Sequence, residues 1–192
     1  MEAFLISTGV VALAEIGDKT QLLAFVLAAK FRRLGAIILG ILVATLLNHG
    51  FAGAAGTWLS AILSPEILRW ILGVSFLLMA IWTLIPDKLD DDETGTAAKY
   101  GVFMTTFIAF FLAEMGDKTQ IATVALAARY DAFVTVVLAT TLGMLIANVP
   151  AVLIGKRMAG AIPVTLVHRI AAAIFAILGV LTLLGAGESL GV

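Results

Sequence analysis

Six apolar stretches, each about as long as the 20 helical residues that a hydrocarbon core of about 30 Å requires, run along the chain with only short polar interruptions. They cover 3–29, 34–60, 66–86, 101–128, 133–157 and 162–186. The breaks between them are Lys30 to Arg33, Ser64 to Glu66, Pro86 to Lys99, Arg129 to Asp131 and Lys156 to Pro163. This pattern predicts an all-α integral membrane protein of six transmembrane helices with no soluble domain. The first stretch carries Glu2, has no Lys or Arg before it and lacks a clear A-x-A site. It is therefore expected to span the membrane rather than act as a cleaved signal peptide. The longest break, D-K-L-D-D-D-E-T-G-T-A-A-K, is acidic and reads as a solvated linker. The expected organisation is 1–86 as a first three-helix repeat, 87–99 as a cytoplasmic linker and 100–192 as a second repeat.

Composition agrees with that class: 61% of the 192 residues are hydrophobic and 13% charged, about half the charged share of a soluble domain. A net charge of -1 argues against a nucleic-acid surface, and the absence of Cys removes thiolate metal sites and thiol nucleophiles. Placing the N-terminus outside puts Lys30, Arg32, Arg33, Lys88, Lys99, Lys156, Arg157 and Arg169 in cytoplasmic loops and leaves Arg69 and Arg129 outside. The positive-inside rule then predicts that both termini face out.

The apolar stretches contain a repeated polar motif. Leu13 to Gln21 reads L-A-E-I-G-D-K-T-Q and Leu112 to Gln120 reads L-A-E-M-G-D-K-T-Q, eight of nine positions matching at an offset of 99 residues. The offset persists at Leu27 to Lys30 against Leu126 to Arg129, at Phe76 against Phe175 and at Thr83-Leu84 against Thr182-Leu183. Three spans per repeat is an odd number, so the second copy enters the membrane in the opposite sense. The two halves are expected to be inverted repeats, a design of secondary transporters whose substrate site lies near the midplane between the repeats.

Both motif copies place Glu, Asp and Lys where each charge costs roughly 2.5 to 3.5 kcal/mol even on the lenient insertion scale. Glu15 and Asp18, like Glu114 and Asp117, are three apart, so in a helix they share a face, and four carboxylates can converge. Gly17 and Gly116 lie between them, where close helix approach or a local break is expected. Thr20, Gln21, Thr119 and Gln120 add oxygen, as do Asn48 and Asn148 from the second and fifth spans. This inventory suits hard divalent cations such as Ca²⁺, Mg²⁺ or Mn²⁺. His49 reads as a satisfied interior histidine, with a nitrogen ligand or proton carrier as the alternative, and His168 beside Arg169 reads as a loop-end charge. Lys19 and Lys118 are expected to pair with Glu15 and Glu114 at i,i+4, holding the carboxylates or replacing the cation during return. Four carboxylates and two lysines sum to -2, which one divalent cation neutralises. Once the cation leaves, desolvation and like charge disfavour ionisation, so protons and metal compete, which is the requirement for antiport.

At these residues the chain resembles the membrane cation/proton exchangers marked by two E-x-G-D-K-T motifs, a family that includes Golgi calcium/manganese transporters and bacterial manganese exporters. The resemblance covers essentially the whole chain. It implies a six-helix transporter that binds Mn²⁺ or Ca²⁺ through Glu15, Asp18, Glu114 and Asp117, with Thr20, Thr119, Gln21 and Gln120 nearby. Short loops and the lack of an organelle-targeting extension resemble the bacterial branch, which implies manganese export across the plasma membrane. The metal is then cargo, and no cofactor is expected. An exporter of a small cationic organic solute such as a basic amino acid is the alternative, and an intramembrane enzyme a distant one. Paired motifs that only lock helices together would be a poor use of six buried ionisable groups, since apolar replacements of buried ion pairs are often neutral or stabilising. Gly50, Gly53, Gly56 and Gly143 with Ala147 are assigned to helix packing. Met79, Met104, Met144 and Met158 are assigned to gap filling, and Met115 to apolar packing.

Overall fold

A computed structural model describes residues 1–85, 101–154 and 164–185. The acidic linker expected at 87–99, the Lys156 to Pro163 break and Met158 lie outside the described residues. Eight α-helices are present among those described: α1 (Glu2–Glu15), α2 (Lys19–Phe31), α3 (Leu34–Ile62), α4 (Pro65–Thr83), α5 (Gly101–Glu114), α6 (Lys118–Tyr130), α7 (Phe133–Ile154) and α8 (Val164–Leu183). Helices α3, α4 and the Phe133–Leu153 part of α7 are each long and apolar enough to cross a membrane. Every helix start in the first half recurs 99 residues later in the second.

The count is eight rather than six because the first and fourth predicted spans are each divided at their motif. Gly17 has φ +85° and Gly116 has φ +77°, left-handed values that cost an L-residue with a side chain strain and cost glycine almost nothing. Backbone polar groups released in apolar surroundings need partners, and the motif supplies them from within. Gln21 Oε1 accepts from Gly17 N at 2.9 Å, and Gln120 Oε1 from Gly116 N at 2.7 Å. The Asp18 and Asp117 amides donate to the Glu15 and Glu114 carbonyls at 3.0 and 3.1 Å. Asp18 then N-caps α2, its side chain accepting from Lys19 N at 2.7 Å. Arg32 and Asp131, also 99 apart, end α2 and α6 in left-handed conformation.

Helices from the two halves interleave: α1 lies against α7, α3 against α5, α6 and α7, and α4 against α8. Small residues permit close approach. A Cβ on Gly56 would overlap the Val124 carbonyl oxygen, and one on Gly143 would come within 2.6 Å of the Thr8 carbonyl oxygen. Gly53 meets Val137 in the same way, whereas Gly50 has open space around it and plays no such role. Met79 and Met144 are buried fillers as expected, but Met104 is 39% and Met115 58% exposed, so neither fills the interior. Phe76 of α4 stacks on Phe175 of α8 with centroids 6.4 Å apart.

Two apolar clusters form the interior. One draws on α1, α4, α6, α7 and α8, through residues such as Val10, Phe76, Leu126, Val136 and Phe175. The other draws on α2, α3, α5 and α7, through Leu27, Ile41, Phe110 and Val152, and contains no residue of α4 or α8. The α4–α8 pair therefore packs on the end of the bundle built from α1 and α6. Arg129 Nη1 donates to Thr182 Oγ1 at that end, tying α6 to α8.

Gly56→Ala is expected to destabilise the detergent-solubilised protein by about 1 to 3 kcal/mol through overpacking. Gly50→Ala, in a helix with free space, should be neutral or stabilising by up to about 1 kcal/mol. Thermal unfolding of the two variants side by side checks both. Gly17→Ala forces a left-handed alanine at roughly 1 to 2 kcal/mol and should lower the same melting temperature.

Candidate functional site

The two breaks meet in the interior, and the motif residues come with them. Glu15 ends α1 and Glu114 ends α5, while Asp18 and Asp117 begin α2 and α6. The aspartates thus do not share a helical face with the glutamates as a continuous helix would have it. The turn at the glycine brings the two halves together instead. Glu15, Glu114 and Asp117 each present a carboxylate oxygen, all within 4.8 Å of one another, and all three residues are buried. Three of the four expected carboxylates therefore form one cluster, and Asp18 stands beside it, fully buried.

At such spacing each pair of ionised carboxylates repels by roughly 3 to 4 kcal/mol at an effective dielectric constant near 20. Part of the compensation is local. Thr20 Oγ1 donates to Glu15 Oε2 at 2.6 Å, and Thr119 Oγ1 donates to Glu114 Oε2 at 3.2 Å. The other oxygen of each glutamate, Oε1, is buried and has no hydrogen-bond partner. The C-terminal ends of α1 and α5 add the negative pole of a helix dipole at the same point. A cluster with unanswered acceptors at two helix C-termini is suited to a cation, and oxygen ligands suit a hard divalent one.

The lysines correct the sequence expectation. Their ion pairs run across to the other motif. Lys118 Nζ lies 2.8 Å from Asp18 Oδ2, and Lys19 Nζ lies 3.9 Å from Asp117 Oδ1, so each lysine reaches the aspartate of the opposite copy. The i,i+4 geometry fails because the helix ends at Glu15 and Glu114 and a new helix starts at Lys19 and Lys118. Cross-pairing ties the halves together while removing part of the acidic charge.

The supporting polar residues divide by task. Thr20 and Thr119 face the carboxylates, whereas Gln21 and Gln120 hold the broken backbone. Gln21 Nε2 also donates to Ala147 O of α7 at 3.0 Å. Asn48 donates to Phe111 O at 3.1 Å, joining α3 to α5, and Asn148 donates to Met144 O within α7 at 3.1 Å. Both asparagines thus bond backbone rather than a carboxylate. His49 is interior but not satisfied: it is fully buried and neither ring nitrogen has a hydrogen-bond partner.

His168 is the residue that sequence reasoning misplaced. It is 7% exposed rather than a loop-end charge, and its Nε2–H donates to the Ile16 carbonyl at 2.9 Å. That carbonyl is released by the break in the first motif, so α8 braces the turn that carries Glu15 and Asp18. One signal was available: the 99-residue offset aligns His168 with Arg69, a basic side chain at matched positions of two apolar segments.

Comparison with known proteins agrees with this architecture. The family profile described as "Divalent cation/proton antiporter GDT1" matches the chain twice, over residues 3–91 and 102–190. A Vibrio cholerae protein named "Putative manganese exporter" is 52% identical over 183 residues, covering 95% of this chain and 90% of its own length. A GDT1-like protein of Synechocystis sp. is 30% identical over 202 residues, with 92% and 96% covered, and GDT1-like protein 5 of Arabidopsis thaliana is 26% identical over 221 residues, with 96% of each covered. No solved structure matches the chain. A profile match in both halves, together with these relatives, shows that the chain belongs to the GDT1 family of divalent cation/proton antiporters.

Proposed function

We propose that this antiporter exports a divalent cation, Mn²⁺ in the first place and Ca²⁺ in the second, in exchange for protons at one site formed by both E-x-G-D-K-T motifs. The observation that carries the reading is the buried trio of Glu15, Glu114 and Asp117, drawn from both motifs, with ligand oxygens within 4.8 Å. Asp18 completes the acidic set, Thr20 and Thr119 orient the glutamates, and Gln21, Gln120, Asn48 and Asn148 hold the surrounding backbone. Oxygen ligands alone accept either metal, and the name of the Vibrio cholerae relative favours manganese. Protons enter as the alternative charge. A trio of carboxylates stripped of metal in an apolar interior is stabilised by protonation, so filling by one ion expels the other.

Six spans follow when α1 with α2, and α5 with α6, each count as one broken span, an arrangement used where helix ends face a transported ion. In this reading the halves, 1–86 and 100–192, are inverted about an axis near the Phe76–Phe175 stack, joined by a cytoplasmic linker at 87–99. Both termini face out of the bacterial plasma membrane. Alternating access draws support from the one-sided packing of α4 and α8. They cover the end formed by α1 and α6, the outer one in this orientation, and leave α2 and α5 uncovered among the described residues.

Purified protein in liposomes with an imposed pH gradient should move Mn²⁺ and show lumenal pH changes that depend on the metal. Because protons compete for the same oxygens, apparent Mn²⁺ affinity should fall as the pH on the metal-binding side is lowered. Transport indifferent to both metal and protons, or transport of a basic amino acid without metal, rejects the proposal. Glu15→Gln and Glu114→Gln should each reduce Mn²⁺ flux by at least about 100-fold, since each removes a charged ligand from a desolvated site. Membrane insertion and the gel-filtration profile should stay as in the wild type.

A further inference from the structure

The two motifs are almost identical in sequence but differ in their ion pairs. Lys118 is fully buried and sits 2.8 Å from Asp18, whereas the Lys19 side chain is 21% exposed and its ammonium is 3.9 Å from Asp117. The aspartate with the looser lysine, Asp117, is the one whose oxygen joins Glu15 and Glu114. Asp18, held by the buried ammonium, is not one of the three. A separate observation shows the same sidedness: α4 and α8 pack over the end built from α1 and α6 and contribute nothing to the apolar cluster of α2, α3, α5 and α7. An asymmetric ion-pair arrangement thus accompanies an asymmetric bundle.

Resting on the exchanger reading above, we infer that the two lysine–aspartate pairs take turns. Glu15 and Glu114 hold the cation in both conformations, and the third carboxylate is Asp117 in the conformation seen and Asp18 in the opposite one. In each, the lysine of the opposite motif withdraws the aspartate not in use. Lys118 and Lys19 are positioning residues in this scheme, and neither touches the metal.

Charge supports the exchange. With Asp18 and Lys118 paired, the trio and Lys19 together carry -2, which one divalent cation neutralises. The mirror arrangement carries the same -2, so reorientation leaves the buried charge unchanged. If all four carboxylates faced the cation with no lysine between, binding would be tighter than release allows, since transport needs a site weak enough to empty. Separating either pair also strands the charge of a buried aspartate unless a cation or proton takes the lysine's place, which couples the swap to occupancy.

Two double variants test this, each replacing one pair with a neutral one: Asp18→Asn with Lys118→Met, and Asp117→Asn with Lys19→Met. Asparagine is also a good helix N-cap, so the start of α2 and α6 is preserved. Equilibrium dialysis of purified full-length protein against radioactive Mn²⁺ should still detect binding by each double variant, with a Kd within about tenfold of wild type, because each keeps the three-carboxylate site of the conformation that uses the remaining aspartate. Flux into proteoliposomes should fall at least about 100-fold in both, since one of the two three-carboxylate sites is then missing. The quadruple variant, left with two glutamates, should lose Mn²⁺ binding. If both double variants lose binding while remaining monodisperse, all four acids act together and the exchange is overturned. Flux close to wild type in either also overturns it. Should one double variant fail to fold, the binding and flux of the other decide. A wild type that binds neither Mn²⁺ nor Ca²⁺ overturns the exchanger reading itself, whereas normal wild-type binding with failed double variants overturns only the exchange.

Discussion

The constraint that governs this molecule is that charged groups and broken backbone must share one apolar interior without leaving either unsatisfied. Carboxylates at the end of a helix bring the helix dipole with them, and stopping a helix frees amides and carbonyls that have no water to turn to. The motif answers the backbone's demand, and part of that of the charges, within nine residues. Glycine makes the turn, glutamine bonds the glycine amide, aspartate caps the next helix, and threonine bonds the glutamate. The motif is therefore a structural unit as well as an acidic cluster, each of these residues making a contact on which the turn or the carboxylates depend.

What the motif leaves unanswered is as informative as what it satisfies. Glu15 and Glu114 each keep one buried oxygen with no hydrogen-bond partner, and these oxygens belong to the residues that meet Asp117. A chain under pressure only for stability would replace such a cluster with apolar side chains at little or no cost. The cross-paired lysines point the same way. They moderate the acidic charge without cancelling it, so the site keeps a deficit that a mobile cation can fill.

Much of the molecule was legible along the chain. Helix starts at 2, 19, 34 and 65 recur at 101, 118, 133 and 164, as the 99-residue offset of the motifs foretold, and Gly17 and Gly116 marked the places where helices break. Gly53, Gly56 and Gly143 were readable as close contacts. Less legible were the pairings that depend on where the chain turns. An i,i+4 rule assumes a continuous helix, so it paired Lys19 with Glu15, and the break redirected both lysines across to the other motif. His168 was misread because its neighbour Arg169 suggested solvent, whereas its partner, the Ile16 carbonyl, exists only because α1 stops there.

Sequence alone determined the helical class, the duplication and the inventory of ionisable residues: apolar length, repeated polar motifs and glycine placement are local properties that need no knowledge of packing. Tertiary structure decided which of the acids meet, which lysine is buried and which end of the bundle α4 and α8 cover. Those outcomes depend on contacts between segments about 100 residues apart, and two nearly identical motifs cannot encode a difference between themselves. The uneven ion pairs and the packing of α4 and α8 against α1 and α6 both appear only once the two halves are assembled.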